Sequence, residues 1–225
     1  MKNGGKLIVI DGGDGSGKTV QAKSLIKHLE SLKIPVKYVD FPQYDQFYGK
    51  IIKRFLNGEF GKLEEVSPYL SSIPYALDRA SIRDELITFL NTGGYVIANR
   101  YATSNLAHQT AKIKSVVEKE KYINWSEEFE YNRLGIPRED IVIYLHVPWK
   151  ISVQLTDTRA ERKNIQKDIA ESNHTHMEIT EATYLNLTER FLHWNKISCT
   201  EQGKLLSKKA IHEKVIELLK RKNFI

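Results

Sequence analysis

The 225-residue sequence has little of what marks secreted or membrane proteins. It contains one cysteine, Cys199, so no disulfide can form within the chain. No apolar run approaches the ~20 residues that span a bilayer, and no run of signal-peptide character lies near the first residue. Linkers rich in proline, glycine or serine, low-complexity tracts and internal repeats are also lacking. These absences favour a cytoplasmic protein and predict a single domain over residues 1–225.

Charge and hydrophobicity limit the class of protein further. Apolar residues make up 41% of the sequence, which suffices for one substantial core. Lysine and arginine outnumber aspartate and glutamate by 34 to 28, which gives a net charge of +6. A positive surface potential attracts anionic ligands. Composition alone therefore leaves free nucleotides, nucleic acids and membrane surfaces open as partners.

Short apolar clusters alternate with longer amphipathic segments along the chain. The clusters predict strands at residues 7–10, 36–41, 95–98, 141–147 and 196–199. The amphipathic segments predict helices at residues 18–32, 67–92, 103–131, 149–159, 176–195 and 207–222. Such alternation is typical of an α/β fold in which helices cover both faces of a parallel sheet. The apolar-poor segment 160–175 is predicted to be an exposed lid or loop.

The stretch DGGDGSGKT, residues 11–19, lies between a predicted strand and a predicted helix. From residue 12 it matches in full the pattern G-x-x-x-x-G-K-[ST] of a phosphate-binding loop. Glycines let backbone N–H groups curl around phosphate oxygens, and the helix N-terminus adds its dipole. Lys18 would reach the β- and γ-phosphates, and Thr19 would offer a hydroxyl to Mg²⁺. The predicted ATP-binding residues are Gly12, Gly13, Asp14, Gly15, Ser16, Gly17, Lys18 and Thr19.

The loop alone does not identify the reaction, because ATPases, GTPases and small-molecule kinases all use it. Three further stretches lie near predicted strand ends, where open α/β sheets bind ligands. They are FPQY at 41–44, YALDRAS at 75–81 and ANRYATSNLAHQ at 98–109. Together with the loop and the arginines near residue 160, they resemble the thymidylate kinase family over most of the chain. The resemblance implies the three-layer fold of P-loop NTPases with a mobile lid at about residues 159–175.

The resemblance also implies a reaction and its partners. Members of the family transfer the γ-phosphoryl group of ATP to dTMP, giving dTDP and ADP, with Mg²⁺ as the cofactor. Catalytic roles are implied for Lys18, Arg100, Arg159, Arg162 and Asp14. A homodimer is implied as well, whereas neither nucleic acid nor a membrane is expected as a partner.

An acceptor site follows from the same resemblance. Asp14 would lie near the 3′-hydroxyl of dTMP and, with Thr19, near the metal. Tyr75 would stack on thymine, and Arg79, one turn later on the same helix face, would donate to its O4 atom. Arg100 would hold the dTMP phosphate. The full set implied for dTMP is Asp14, Phe41, Tyr44, Tyr75, Arg79, Arg100, Asn105, His108 and Gln109.

The lid segment carries the remaining functional expectations. Gly15 and Ser16 cannot place a cation in the loop, whereas Arg159 and Arg162 belong to the lid. The resemblance therefore implies that lid arginines supply the catalytic cation, and it matches Asp168 and Glu171 to acidic residues that follow them. His174 and His176 are predicted to be solvated lid residues rather than metal ligands, since no cysteine or third ligand is nearby.

Four positions depart from the family pattern, and one of them is Val20, which replaces the second threonine that is common after Lys18. Asn99 replaces the aspartate that usually precedes Arg100, and an amide is a poorer Mg²⁺ ligand than a carboxylate. Asp11 replaces a glutamate and is one methylene shorter, so its reach toward the metal should change. His108 replaces a tyrosine or phenylalanine at the 2′ edge of the sugar. None of these changes removes the phosphate-binding loop.

Two other interpretations stay open. A different P-loop nucleoside or nucleotide kinase would keep the loop and the lid but change the base pocket, and the YALDR and NRY stretches argue against it. An ATPase associated with nucleic acid would suit the basic charge, but it should show a basic patch with interleaved aromatics. The basic residues here are scattered or lie in the lid.

Overall fold

Five parallel strands form the central sheet in the order β2-β3-β1-β4-β5. The computed structural model describes residues 4–163 and 168–225. The strands are β1 (Lys6–Asp11), β2 (Val36–Asp40), β3 (Tyr95–Asn99), β4 (Ile141–His146) and β5 (Trp194–Ser198). A short hairpin, β6 (Thr200–Glu201) and β7 (Lys204–Leu205), follows the last of them. The five predicted strands are confirmed with small shifts at their ends, and the hairpin was not predicted.

Helices connect the strands and cover the sheet. Among the described residues they are α1 (Lys18–Ser31), α2 (Phe47–Leu56), α3 (Pro68–Ala80), α4 (Arg83–Asn91), α5 (Ala102–Thr110), α6 (Val116–Glu127), α7 (Trp149–Lys163), α8 (His174–Arg190) and α9 (Lys208–Arg221). A π-helical turn, Glu128–Arg133, continues α6. In the part of the chain that the structure describes, no helix is long and apolar enough to cross a membrane.

Successive strand residues point to opposite faces of the sheet and build two cores. On one face, Ile8 and Ile10 of β1 pack with buried residues of α1 and α9. On the other face, Leu7 and Val9 pack with buried residues of α4, α5, α6 and α8. The predicted α/β fold, a parallel sheet between two helical layers, is therefore confirmed.

Two of the predicted helices are each divided in the structure. The segment 67–92 breaks between α3 and α4, where the Ser81 hydroxyl donates to the carbonyl oxygen of Asp78 at 2.7 Å. Such local bonds compete with the helical pattern. The segment 103–131 breaks after α5, and Ser115 caps the new helix by accepting from the Glu118 N–H at 3.4 Å. The sequence periodicity continues across both breaks, so it did not reveal them.

The predicted loop at 160–175 is also partly wrong. Helix α7 continues to Lys163, and α8 begins at His174 rather than at 176. Asn173 caps α8, since its Oδ1 accepts from the His176 N–H at 2.9 Å. Non-helical backbone is described only at residues 168–173, because residues 164–167 lie outside the described part of the chain.

Helix α2 was not predicted, although its apolar residues recur at helical spacing. Its residues Ile52 and Phe55 are buried. Its Gly49 lies so close to the preceding loop that a Cβ there would be 1.8 Å from the carbonyl oxygen of Gln43. Only glycine permits this approach, and the contact fixes the loop after β2 against the helix.

Candidate active site

The phosphate-binding loop runs from the end of β1 into α1 and depends on its glycines. Gly12, Gly15 and Gly17 have φ values of 150°, 78° and 87°, which residues with a Cβ adopt at a cost. A Cβ on Gly12 would also lie 2.6 Å from the carbonyl oxygen of Leu145. The Lys18 ammonium donates to the carbonyl oxygens of Gly12 and Gly13 at 3.0 and 2.9 Å. The Lys18 ammonium is therefore held against the backbone of the loop.

Arg100 connects the loop to the rest of the site. It follows β3 in the left-handed region, with φ 63°. Its Nη2 donates to Asp14 Oδ1 at 2.5 Å, and its Nη1 donates to the Ser104 hydroxyl at 2.7 Å. The Lys18 ammonium lies 3.8 Å from the same Asp14 carboxylate oxygen. Two cations and one carboxylate thus meet at the end of the loop.

Asp11 is fully buried beneath this cluster. Its carboxylate accepts from the hydroxyls of Thr103, Ser104 and Tyr184 at 2.6, 2.8 and 2.7 Å. It also accepts from the N–H of Gly12 at 2.8 Å. The shorter side chain at position 11 is therefore held by hydrogen bonds to α5 and α8.

A cavity of about 390 Å³ opens beside Arg100 and Asp14. It lies between the loop after β2, α3, α5 and residues 168–176. All nine residues predicted to bind the acceptor line it: Asp14, Phe41, Tyr44, Tyr75, Arg79, Arg100, Asn105, His108 and Gln109. Asp168 and Glu171 also line it. The structure therefore brings together side chains that are separated by more than half of the chain.

Arg79 is held by a buried carboxylate that sequence reasoning missed. Its Nε donates to Glu130 Oε2 at 2.8 Å, and its Nη2 donates to Oε1. Both side chains are almost fully buried, and Asn105 Nδ2 also donates to Glu130 at 3.3 Å. Burial opposes the charge of Arg79, but Glu130 outweighs this effect and raises its pKa. The pair orients the guanidinium at the cavity wall with two of its five N–H donors.

Lys112 is a second cavity residue that was not predicted. Its ammonium donates to the Val66 carbonyl at 2.6 Å and to the Ser71 hydroxyl at 3.2 Å. The same hydroxyl donates to Gln109 Oε1 at 2.7 Å, which fixes the orientation of that amide. Burial lowers the pKa of Lys112 to about 8. The sequence did contain a signal for Lys112, since a basic residue follows Gln109 of the predicted acceptor site by about one helical turn.

The two histidines of the cavity are neutral at physiological pH. Burial, and then the charge of Arg100, lower the pKa of His108 well below its usual value. Burial, and then the charge of Lys112, lower the pKa of His176 to about 4. The prediction that His176 is solvated is wrong, because the first turn of α8 directs it into the cavity beside His108, with the ring centroids 5.7 Å apart. His174 is exposed as predicted.

Helix α7 carries the two arginines that were predicted to supply the catalytic cation from the lid. The side chains of Arg159 and Arg162 lie outside the described part of the structure, although the helix that carries them is described. That helix, α7, rests on the phosphate loop, where the Ser152 hydroxyl donates to the carbonyl oxygen of Asp14. Positions 152 and 159 are about two turns apart along this helix.

The residues near Thr19 fit a hard divalent cation. Asn99 Nδ2 donates to Thr19 Oγ1 at 3.1 Å and to Asp40 Oδ1 at 2.9 Å. The buried Oδ1 of Asn99 has no hydrogen-bond partner among the described residues. The Thr19 hydroxyl and the Asp40 carboxylate are oxygen ligands that suit Mg²⁺. This donor set suits a metal that is bound mainly through nucleotide phosphates.

Asp168→Asn is expected to stabilise the protein at neutral pH. Burial, rather than the neighbouring carboxylates of Asp14 and Glu171, is the main cause that raises the pKa of Asp168 from 3.8 to about 6. The folded state therefore binds this proton more tightly, and stability falls as the pH rises between these values. Asparagine keeps the Oδ1 that accepts from the N–H groups of Ala170 and Glu171.

Thermal unfolding of both proteins at pH 8 and pH 4 measures this effect. We expect the Tm at pH 8 to rise by about 2–4 °C, which corresponds to about 1 kcal/mol in a chain of this length. The difference should vanish near pH 4, where Asp168 is protonated in the folded protein. A lower Tm for the variant at pH 8 would contradict the raised pKa of Asp168 in the folded protein.

Comparison with known proteins identifies the family. The sequence profile described as Thymidylate kinase matches residues 10–218. A probable thymidylate kinase of Thermococcus onnurineus is 32% identical over 225 residues, which cover 96% of this chain and 100% of the relative. A thymidylate kinase of Plasmodium falciparum is 30% identical over 147 residues, covering 65% of this chain and 64% of the relative.

A solved structure extends the comparison to the fold. The structure of thymidylate kinase from Candida albicans superimposes with a TM-score of 0.75 at 19% identity, covering 98% of this chain and 93% of that chain. This likeness supports the three-layer fold, and the sequence matches carry the family. With the profile covering most of its length, the chain belongs to the thymidylate kinase family.

Proposed function

We propose that this protein transfers the γ-phosphoryl group of ATP to dTMP and so forms dTDP and ADP. The observation that carries the proposal is the continuity between the phosphate loop and the cavity. Asp14 belongs to the loop and Arg100 to the cavity wall, and their ion pair of 2.5 Å joins the two. A donor phosphate in the loop and an acceptor phosphate at Arg100 would therefore be neighbours.

The donor end of the site is assigned to the loop and the lid. The N–H groups of the loop, the α1 N-terminus and Lys18 would hold the ATP phosphates. Arg159 and Arg162 would add positive charge from α7, which already contacts the loop through Ser152. Charge on the transferred group is spread over its equatorial oxygens, so positioned cations supply most of the catalysis. The set proposed to bind ATP is Gly12, Gly13, Asp14, Gly15, Ser16, Gly17, Lys18 and Thr19.

The acceptor end is assigned to the cavity. Tyr75 would stack on the base, and Arg79, oriented by Glu130, would donate to O4 of thymine. Arg100 would hold the acceptor phosphate, and Asp14 would lie at the sugar. The other residues proposed to contact dTMP are Phe41, Tyr44, Asn105, His108 and Gln109, which all line the cavity. Its half-enclosed walls would also keep water from the transferred group.

Mg²⁺ is proposed as the cofactor. The Thr19 hydroxyl would hold it together with the nucleotide phosphates, and Asp14 would contribute from the other side of the loop. When bound, the ion neutralises charge on the β- and γ-phosphoryl oxygens. Because Asp14 also pairs with Arg100 and Lys18, its remaining charge for a cation is small.

We propose one domain over residues 1–225, a lid at about residues 159–175 and a homodimer in the cytoplasm. Helices α3 and α6 pack together through aromatic contacts of Tyr69 with Tyr122 and Trp125. Beside these contacts, Leu70, Val116 and Val117 expose 64%, 74% and 63% of their surface. Exposed apolar residues on neighbouring helices support a helical interface between two copies. No role for nucleic acid or a membrane is proposed.

The acceptor preference tests the function. With ATP and Mg²⁺, kcat/KM should rank dTMP first, dUMP second, and CMP, AMP and GMP far behind. Arg79 can only donate, so the exocyclic amine of cytosine meets it as donor facing donor, and an unpaired buried group costs ~1–3 kcal/mol. The 5-methyl group of thymine should contribute ~1–3 kcal/mol at most.

Two results would favour the other interpretations. A clear preference for CMP, AMP or GMP would indicate a different nucleotide kinase with the same loop. ATP turnover without any mononucleotide, stimulated by DNA or RNA, would indicate an ATPase instead. Either result would overturn the proposal.

A further inference from the structure

The amide of Asn99 has a fixed orientation in the structure. Its Nδ2 lies 2.9 Å from Asp40 Oδ1 and 3.1 Å from Thr19 Oγ1. An ionised carboxylate only accepts hydrogen bonds, so the atom that faces Asp40 must be the nitrogen. The amide oxygen therefore lies on the other side, where it is buried without a partner among the described residues.

The topology of the sheet explains why these three residues meet. Asp40 and Asn99 end neighbouring parallel strands and are paired in register. They lie on the same face of the sheet, and Thr19 in the first turn of α1 lies over that face. The carboxyl ends of parallel strands are where such folds bind their ligands. Asp40 therefore reaches the metal end of the phosphate loop from an adjacent strand.

The carboxylate of Asp40 is itself held in place. The Tyr38 hydroxyl, two residues earlier on the same strand face, donates to Asp40 Oδ2 at 2.9 Å. Burial, and then this hydrogen bond to Asp40, raise the pKa of Tyr38 to about 12, so the phenol remains a donor. Both oxygens of Asp40 thus accept from neutral groups, and no described lysine or arginine forms an ion pair with it.

The other carboxylates of the site are committed elsewhere. Asp14 pairs with Arg100 at 2.5 Å and with Lys18 at 3.8 Å. Asp11 is fully buried and accepts from three hydroxyls. Asp40 is exposed and lacks a described cationic partner, so it retains its negative charge for a divalent cation near Thr19.

We propose that Asp40 supplies the negative charge of the metal site in this chain and acts as a positioning residue through Asn99 and Thr19. By accepting from Asn99, Asp40 turns the amide so that it donates to the Thr19 hydroxyl, and it places a full charge beside that oxygen. The charge at this end of the site thus comes from strand β2 instead of from position 99 on β3. This inference rests on the proposed use of a divalent cation with ATP.

Binding of Mn²⁺ in place of Mg²⁺ tests the proposal without any acceptor. The protein, in excess over the non-hydrolysable ATP analogue AMPPNP, is titrated with Mn²⁺, and free Mn²⁺ is followed by its electron paramagnetic resonance signal. We expect Asp40→Asn to weaken Mn²⁺ binding about 10-fold while the affinity for metal-free AMPPNP is unchanged. Exchanging the two residues, Asp40→Asn with Asn99→Asp, should restore most of the lost affinity.

Asp84→Asn is the matched control, because Asp84 is an exposed aspartate in the first turn of α4. It removes the same charge and should leave Mn²⁺ binding at the wild-type value. Wild-type Mn²⁺ affinity in Asp40→Asn would overturn the proposal, as would an equal loss in the Asp84 variant or a failure of the exchanged pair to recover. A protein that lacks dTMP kinase activity would refute the proposed function but leave this comparison intact.

Discussion

Lys18→Ala is expected to lower kcat for phosphoryl transfer by about 100- to 1,000-fold, the usual cost of removing one preorganised charge-stabilising group. The Lys18 ammonium donates to the carbonyl oxygens of Gly12 and Gly13 and lies 3.8 Å from the Asp14 carboxylate. In the proposed function its role is to place a charge among phosphate oxygens, and the fold should tolerate its removal. Steady-state kinetics with saturating ATP and dTMP, alongside the Tm of each protein, measure both effects.

Lys23→Ala serves as the control for this experiment. Lys23 is an exposed lysine on the same helix, so the variant loses the same charge away from the loop. It should keep the wild-type kcat. If the Lys18 variant retained wild-type activity, the assignment of the loop to ATP would be wrong.

Glu130→Gln is expected to cause the largest loss of stability. The change leaves the buried guanidinium of Arg79 without its charged partner, and breaking a buried pair in this way costs about 3–5 kcal/mol. A loss of this size corresponds to a fall of roughly 10 °C in Tm for a chain of this length. Urea unfolding and thermal melts of the purified protein measure the change in the free energy of unfolding.

Two further variants test whether the loss of stability comes from breaking the Arg79–Glu130 ion pair. Glu128→Gln, in the same π-helical turn but exposed, should change the free energy of unfolding by less than about 1 kcal/mol. The double variant Arg79→Met with Glu130→Leu should recover stability, since apolar replacements of a buried pair are often neutral. It should nevertheless lose the preference for dTMP over CMP. Full stability in Glu130→Gln would show that Arg79 does not depend on this carboxylate.

The parts of the site that the sequence predicts are those built from contiguous residues. The phosphate loop needs glycines, one lysine and one hydroxyl at fixed spacing, so residues 12–19 are readable from the sequence alone. The same is true of the five apolar strands, because each is a short run with turn residues at its ends. The resemblance then supplied the nine cavity residues, and the structure places all of them at one cavity.

The parts that the sequence could not predict depend on pairing across the fold. Glu130 lies in the stretch SEEFEY with two other glutamates, and only the π-helical turn decides which of them faces Arg79. His176 has a polar neighbourhood in the sequence, yet the start of α8 turns it into the cavity. Asp40 gains its neighbours only when β2 pairs with β3. Local patterns contain no information about these partners.

The carboxylate of Asp11 joins the phosphate loop to two walls of the cavity. One buried group binds the first N–H of the phosphate loop and three hydroxyls from α5 and α8, which are walls of the cavity. The proposed binding sites for donor and acceptor would thus be fixed relative to each other before either molecule binds. Two free molecules lose translational and rotational entropy when they come together. Here most of that entropy would be lost when the substrates bind, so little would be lost in the transfer step.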